Sequence, residues 1–423
     1  MTSVRFFHTA DIHFGVENYG RIDSATGIHT RLLDFEKALA TIIDAAIKDD
    51  IDLFVFSGDA YKTPYPTPTQ QKLLLQQFFR LQEHGIPVVI VVGNHDHPLS
   101  FGKAHALDVF GAIRQHDFHV ISRPQACTIT TKKGPVQLVG IPWPMRNNVL
   151  AKGMHQLKTS REITEYLSAQ VVKIIARLAQ DLDPSLPSVL AGHLTVATGI
   201  FSGSEKRAIY GNDPVFLPSQ LAITPFDYVA LGHLHRYQNL NKGGIPVVYS
   251  GSPERVDFGE RKEEKGYCDV TITCKEGRKE TKHSFVTLPT RPMIQIELHL
   301  EEGKNQTESI LSKIEEYDLT GAIVKIVYHV PAGVSDRVDI AVIQKACQSA
   351  HYLTGVVPVH VVKERVQRTA VTSEMSTKVL LETYFKAQNV QKEKQERLVE
   401  KALDLARAVE REAERGDEAH DDS

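Results

Sequence analysis

Apolar residues recur along this chain with two periods. Short β-branched or aromatic runs at residues 4–7, 51–56 (I-D-L-F-V-F) and 88–92 predict strands, and the stretches between them carry apolar positions at helical spacing. Leu32, Leu33, Phe35, Leu39, Ile42, Ile43 and Ala46 mark one amphipathic helix, and a second is expected over residues 69–83. The run from Val88 to Val92, opened by Pro87 and closed by Gly93, has no polar alternation, which predicts a strand buried on both faces of a parallel sheet. Further strands are expected at 136–141, 188–191, 228–231 and 246–249, with a helix at 159–179. Repeated β-loop-α units of this kind predict an α/β fold with a layered sheet.

The pattern changes twice towards the C-terminus. Residues 196–218 contain Gly199, Gly203, Gly211 and Pro214 without clear periodicity and read as a long surface loop, where Lys206 and Arg207 are candidate phosphate contacts. Pro289 and Pro292 bracket a short connector, and β-α-β-α-β follows, enough for a small separate domain. The expected division is a core at 1–288, a capping domain at 289–368, a helical partner-binding segment at 369–415 and an acidic, disordered tail at 416–423. Leu398, Ala402, Leu405 and Val409 form the apolar stripe of the helical segment. Such a stripe usually packs on its own domain, but here it lies beyond a second domain and is narrow, which favours a partner surface.

Composition narrows the setting. With 49 basic and 52 acidic residues the formal charge is −3, so there is no global basic signature and any nucleic acid must be held by a local patch, metals or a partner. Cys127, Cys268, Cys274 and Cys347 are scattered, with no C-x-x-C pair, which fits a reducing cytoplasm. The chain enters its first strand without the pattern of a signal peptide, and no apolar run approaches a membrane span.

The residues at the strand ends are chemically uniform. Asp11 and His13, then Asp59, then Asn94 and His95, then His193, then His233 and His235 all stand at predicted strand ends, where open α/β sheets bind ligands, and they are expected to meet at one edge. Carboxylate, imidazole and amide oxygen suit Mn²⁺, Fe²⁺ or Zn²⁺, while the absence of thiolate argues against a structural zinc site. Residues 11 and 13, or 233 and 235, would point to one side of an extended segment and grip an ion together, and Asp59 could bridge two. Two ions about 3.5–4 Å apart are what phosphodiester cleavage needs, one activating a water and both stabilising charge on the attacking and leaving oxygens. An imidazole that is not a ligand could then give a proton to the leaving group, and His95, supported by Asp96, is the candidate.

D-x-H at 11–13, G-D at 58–59, G-N-H-D at 93–96, G-H at 192–193 and G-H-x-H at 232–235 together resemble the signature of the calcineurin-like metallophosphoesterases, in order and spacing. Each motif is weak alone; five in sequence are strong. A-G-H-L-T-V-A near His193, Y-V-A-L-G-H-L-H ending at His235 and S-G-S-P-E-R at 250–255 are similar, more narrowly, to the nuclease subunits of bacterial SbcCD complexes. The resemblance implies that Asp11, His13, Asp59 and His235 hold one Mn²⁺, that Asp59, Asn94, His193 and His233 hold the other, and that His95 is the catalytic histidine. It also implies ATP-dependent 3′-to-5′ exonuclease action on duplex ends, endonuclease action on single strands and hairpins, a coiled-coil SbcC-like ATPase partner and a homodimer within a heterotetramer, acting in DNA repair, recombination and replication.

One position departs from the family: Lys62 stands where relatives often carry an acidic residue or histidine, and a charged lysine cannot ligate metal, although it could meet a phosphate. A lone histidine at a strand end is more often a cap or surface group than a ligand, and His97 and His105 are read as non-catalytic. The rival function is a small-molecule phosphomonoesterase or cyclic-nucleotide phosphodiesterase with the same two-metal centre, for which the C-terminal third would be superfluous. A non-catalytic scaffold is disfavoured because no ligand position has been lost.

Overall fold

The computed structural model describes residues 2–98, 104–113, 117–145, 159–203, 213–360, 376–387 and 390–417, excepting the side chains of 387 and 406–417. The chain opens β1 (Thr2–Thr9), α1 (Thr30–Lys48), β2 (Leu53–Phe56), α2 (Pro68–Glu83), β3 (Val88–Val91), the short α3 (Asp108–Ala112) and β4 (Phe118–Ile121). These four strands pair in parallel, in the order written. Thr67 caps α2 reciprocally with Gln70, and Pro68 stands at the first helical position, where its missing N–H costs nothing.

A second sheet begins with the antiparallel pair β5 (Gln125–Thr131) and β6 (Gly134–Ile141). Helix α4 (Ser160–Gln180) leads to β7 (Ser188–His193), followed by the two-residue pair β8 (Thr195–Val196) and β9 (Val215–Phe216), and by α5 (Pro218–Leu221). Then come β10 (Tyr228–Gly232), β11 (Gln238–Asn239) and β12 (Val247–Tyr249). This sheet has the order β11-β12-β10-β7-β6-β5. A long hairpin, β13 (Gly266–Lys275) and β14 (Arg278–Thr287), then returns to the first sheet and pairs antiparallel with β1.

The two sheets face each other. Val4, Phe6, Leu53, Val55, Val89 and Val91 of the first pack with Leu138, Val189, Ala191, Tyr228 and Ala230 of the second. Alternate residues of the same strands, Phe7, Phe54, Phe56, Val88 and Ile90, meet Leu32, Phe35, Leu39, Ile42, Leu74 and Phe78 of α1 and α2. Leu190, Val229 and Leu231 pack similarly against Val171 and Ile175 of α4. The core is therefore helix, sheet, sheet, helix. All four residues of β3 are buried, as its unbroken β-branched run requires.

Beyond the hairpin, β15 (Met293–His299), α6 (Gln306–Glu315), β16 (Ile323–Val330), α7 (Ile340–Ala346) and β17 (Tyr352–His360) make a three-stranded sheet with two helices. Residues up to Tyr328 and from Asp336 to Pro358 cluster with the core as one compact unit. Arg291 ties this region to α1, its Nε donating to Asp34 Oδ2 at 2.7 Å and its Nη1 to the Gly321 carbonyl at 2.9 Å.

A second unit contains α8 (Thr377–Ala387) and α9 (Lys392–Asp417). Gln395 donates to the Glu382 carbonyl at 2.9 Å, and Val399 is buried, alone among the described side chains of α9. The expected stripe is shifted from this face: Leu405 is 61% exposed, and Val409 lies outside the described side chains. Helix α9 runs through Gly416 and Asp417, and the remaining tail, 418–423, lies outside the described residues, as do Lys206 and Arg207. Among the described residues no helix is long and apolar enough to cross a membrane.

Candidate metal centre

The strands that end in candidate ligands come from both sheets, not from one edge. Strands β1, β2 and β3 deliver Asp11, His13, Asp59 and Asn94, whereas β7 and β10 deliver His193, His233 and His235. Backbone bonds lace the loops together: Asp11 N–H donates to the Gly58 carbonyl at 2.9 Å and His13 N–H to the Asp59 carbonyl at 3.1 Å. The His233 N–H reaches across from the second sheet to Asp11 Oδ1 at 3.0 Å.

Asp11 and His13 do not converge by extended alternation. Their φ angles are +57° and +48°, those of Asp59 and His233 are +55° and +107°, and so four candidate ligands sit on left-handed backbone. Non-glycine residues rarely adopt it, and such strain gathers at functional sites because the surrounding bonds enforce it. Gly93 shows how tightly the loops close: a Cβ there would lie 2.2 Å from Asp59 Oδ1.

Ligand atoms of Asp11, His13 and His235 lie within 4.8 Å of one another, as do those of Asp11, Asp59 and His193, and those of His13, Asp59 and His95. His13, His193 and both aspartates are buried. Asp59 Oδ2 is 3.7 Å from His13 Nε2 and 3.3 Å from His193 Nε2. Asn94 Oδ1 lies 2.9 Å from His193 Nε2 and 3.2 Å from His233 Nδ1.

The ring partners fix several tautomers. His193 Nδ1 meets the Ser57 carbonyl at 2.8 Å, which can only accept, so Nδ1 donates and Nε2 is turned inwards. His235 Nδ1 likewise meets the Glu260 carboxylate at 2.8 Å, leaving its Nε2 3.0 Å from His13 Nε2. His233 Nε2 is buried without a hydrogen-bond partner among the described residues. Inward nitrogens, facing oxygens and no thiolate are a donor set that fits divalent cations.

Charge is concentrated accordingly. Burial pushes Asp11 up to about 7 against the pull of His193 and His235. For Asp59 burial also acts upwards, but His193, His95 and His13 outweigh it and hold the carboxyl well below its usual range. Burial lowers His193, yet Asp59 and Asp11 raise it to about 9. The carboxylates that retain a proton on His193 are the groups that would retain a cation in its place.

His95 is half-buried and stands edge-on to His13, with ring centroids 4.9 Å apart. Its Nδ1 meets the Lys62 carbonyl at 2.9 Å, so Nε2 is the atom free to take or release a proton. The expected support from Asp96 is replaced. The Asp96 carboxylate accepts from the backbone N–H groups of Asp59, Tyr61 and Gly93 at 3.0, 3.1 and 3.0 Å, and thereby joins the β2 and β3 loops. Lys62 is exposed, and His105 pairs with Asp108 at 3.1 Å and belongs to none of the ligand clusters.

Three contributors are not legible from sequence pattern. Glu260 and Lys265, 2.7 Å apart and fully buried, stand behind His235. They lie in G-E-R-K-E-E-K-G, a charge run that reads as solvated loop. Trp143, the chain's one tryptophan, tilts over His233 at 4.8 Å between centroids. Its place directly after a strand is the one signal that could have found it.

The sequence profile of the calcineurin-like phosphoesterase family matches residues 4–237. The chain is 30% identical over 315 residues to the D subunit of nuclease SbcCD from Staphylococcus saprophyticus, covering 74% of this chain and 75% of the relative. It is 26% identical over 342 residues to the corresponding subunit from Bacillus subtilis, covering 74% and 80%. A dimetal phosphatase of Danio rerio overlaps with a TM-score of 0.35 at 10% identity, over 67% of this chain and 96% of that one, too slight to carry an argument.

Proposed function

The chain belongs to the calcineurin-like phosphoesterase family and, within it, to the SbcCD D subunits, and from that premise we propose that it is the catalytic subunit of a metal-dependent DNA nuclease. The observation that carries this reading is the position of Asp59, whose Oδ2 lies near histidines from both sheets, His13 and His193. On this reading Asp11, His13, Asp59 and His235 hold one divalent ion, Asp59, Asn94, His193 and His233 the other, and Mn²⁺ suits the mixed nitrogen and oxygen donors. The bound ions would supply Lewis-acid activation of a water and charge neutralisation at the phosphodiester.

The chain's own residues do the rest. Asp11 and Asp59 provide the negative charge of the centre, and Asn94 adds a neutral oxygen that His193 and His233 both face. His95 delivers a proton from Nε2 to the leaving oxygen while Nδ1–H stays on the Lys62 carbonyl. Asp96 keeps the β2 and β3 loops in register, so that Asn94 and Asp59 arrive together. With a net charge of −3, affinity for DNA rests on the ions, on local cations such as Lys62 and on a partner.

The substrates and partners derive from the D-subunit premise: duplex ends cut 3′ to 5′, hairpins and single strands cut internally, and an SbcC-like coiled-coil ATPase joined by the α8–α9 segment, in a cytoplasmic heterotetramer. Residues 1–288 form the nuclease core, 289–368 the cap and 369–415 the partner-binding segment. The test is Mn²⁺-dependent digestion of duplex and hairpin DNA with and without a coexpressed SbcC-like ATPase, beside bis-p-nitrophenyl phosphate. ATP-stimulated DNA cleavage supports the reading. Rapid turnover of small phosphoesters with no DNA cleavage, even with the ATPase, overturns it in favour of a small-molecule phosphatase or cyclic-nucleotide phosphodiesterase.

A further inference from the structure

His235 differs from its neighbours in what holds its outer nitrogen. The Ser57 carbonyl does this for His193, but His235 Nδ1 meets a carboxylate, Glu260 Oε1, at 2.8 Å. The other oxygen of Glu260 accepts from the Val256 N–H at 2.9 Å and pairs with Lys265 Nζ at 2.7 Å. Lys265 in turn donates to the His235 carbonyl at 2.9 Å and to Ser252 Oγ at 3.0 Å. Glu260 is 0% and Lys265 1% exposed, so both charges are withdrawn from water.

A buried ion pair is a poor source of stability, since desolvation offsets most of its attraction and an apolar pair of similar volume often serves as well. Its orientation here has a use that an apolar pair could not supply. An ionised carboxylate only accepts, so it forces the proton of His235 onto Nδ1 and turns the Nε2 lone pair towards His13 and Asp11. Lys265 holds both the carboxylate and the backbone of the ligand it orients.

We propose that Glu260, backed by Lys265, is a positioning residue for one half of the metal centre: it fixes the tautomer and ring angle of His235 and so sets the affinity of the ion that His235 shares with Asp11 and His13. The inference rests on the two-ion reading above. Outer partners of this type typically change metal affinity about 10- to 100-fold when altered. An ion on the side of Asn94, His193 and His233 would keep its affinity, since the Glu260 carboxylate bonds to His235, Val256 and Lys265 instead.

The test is Mn²⁺ titration of the full chain without substrate, reading free Mn²⁺ by electron paramagnetic resonance. Wild type is expected to bind two ions. In Glu260→Gln the amide can donate to Nδ1 and drive the proton to Nε2, so one ion should weaken about 10- to 100-fold while the other is unchanged. The double variant Glu260→Gln/Lys265→Met removes both buried charges, and its melting temperature without metal separates folding from positioning. Restored stability with one ion still weak supports the proposal. Restoration of metal affinity together with stability, equal weakening of both ions, or no change in Glu260→Gln overturns it. A wild type that binds no Mn²⁺ sinks the two-ion reading itself.

Discussion

Left-handed backbone at Asp11, His13, Asp59 and His233 shows that single residues here are held against their own preference by the bonds around them. Gly93 leaves room for this, and Gly93→Ala, which sets a methyl 2.2 Å from Asp59 Oδ1, should lower stability by about 1–3 kcal/mol in urea titration and weaken Mn²⁺ binding. His95 should separate binding from catalysis: His95→Ala is expected to cut the cleavage rate about 10²- to 10⁴-fold with the number of bound ions unchanged. His8 gives the pH dependence. Buried between the sheets, 3.2 Å from Tyr228 Oη, it is lowered by burial to about 3 from an ordinary 6.5. The unfolded chain therefore binds a proton that the folded chain refuses, and this contribution to stability falls as pH drops through the window between those values. Relative to His8→Gln, the wild type should lose about 1.4 kcal/mol per pH unit between about pH 6 and pH 4, and parallel unfolding curves at each pH would contradict this.

Among the elements, β3 connects the core to the site, because its four buried residues lead through the buried Val92 into Gly93, Asn94 and His95. Ile90→Ala should destabilise by about 2–5 kcal/mol in urea titration. Strands of this type were legible because burial on both faces demands an unbroken β-branched run, and α1, α2 and α4 were legible from apolar spacing. The β13–β14 hairpin was not, since R-K-E-T-K-H-S-F-V-T is largely polar on an edge strand. The short motifs after the strands exposed Asp11, His13, Asp59, Asn94, His193, His233 and His235, because their chemistry is unusual for turns. Left-handed φ angles, the real partners of Asp96, and the burial of Glu260 and Lys265 depend on which loops meet in space, and no local pattern encodes that.

In the whole molecule, the division of the strands into two facing sheets matters most. Asp11, Asp59 and Asn94 belong to one sheet, His193, His233 and His235 to the other, so the centre assembles only when the sheets pack through Val55, Val89, Ala191 and Ala230. Metal binding should then raise the melting temperature of the core, and chelation should lower it. On the proposed reading this junction is a metal-dependent nuclease centre, and Asp59, close to His13 of one sheet and His193 of the other, would serve both ions. The most direct measurement is digestion of end-labelled duplex DNA with Mn²⁺ and the SbcC-like partner by wild type and Asp59→Ala. Wild-type products should shorten with time and disappear on chelation, and Asp59→Ala should give none. Equal cutting by the two proteins would show that the activity does not come from this centre.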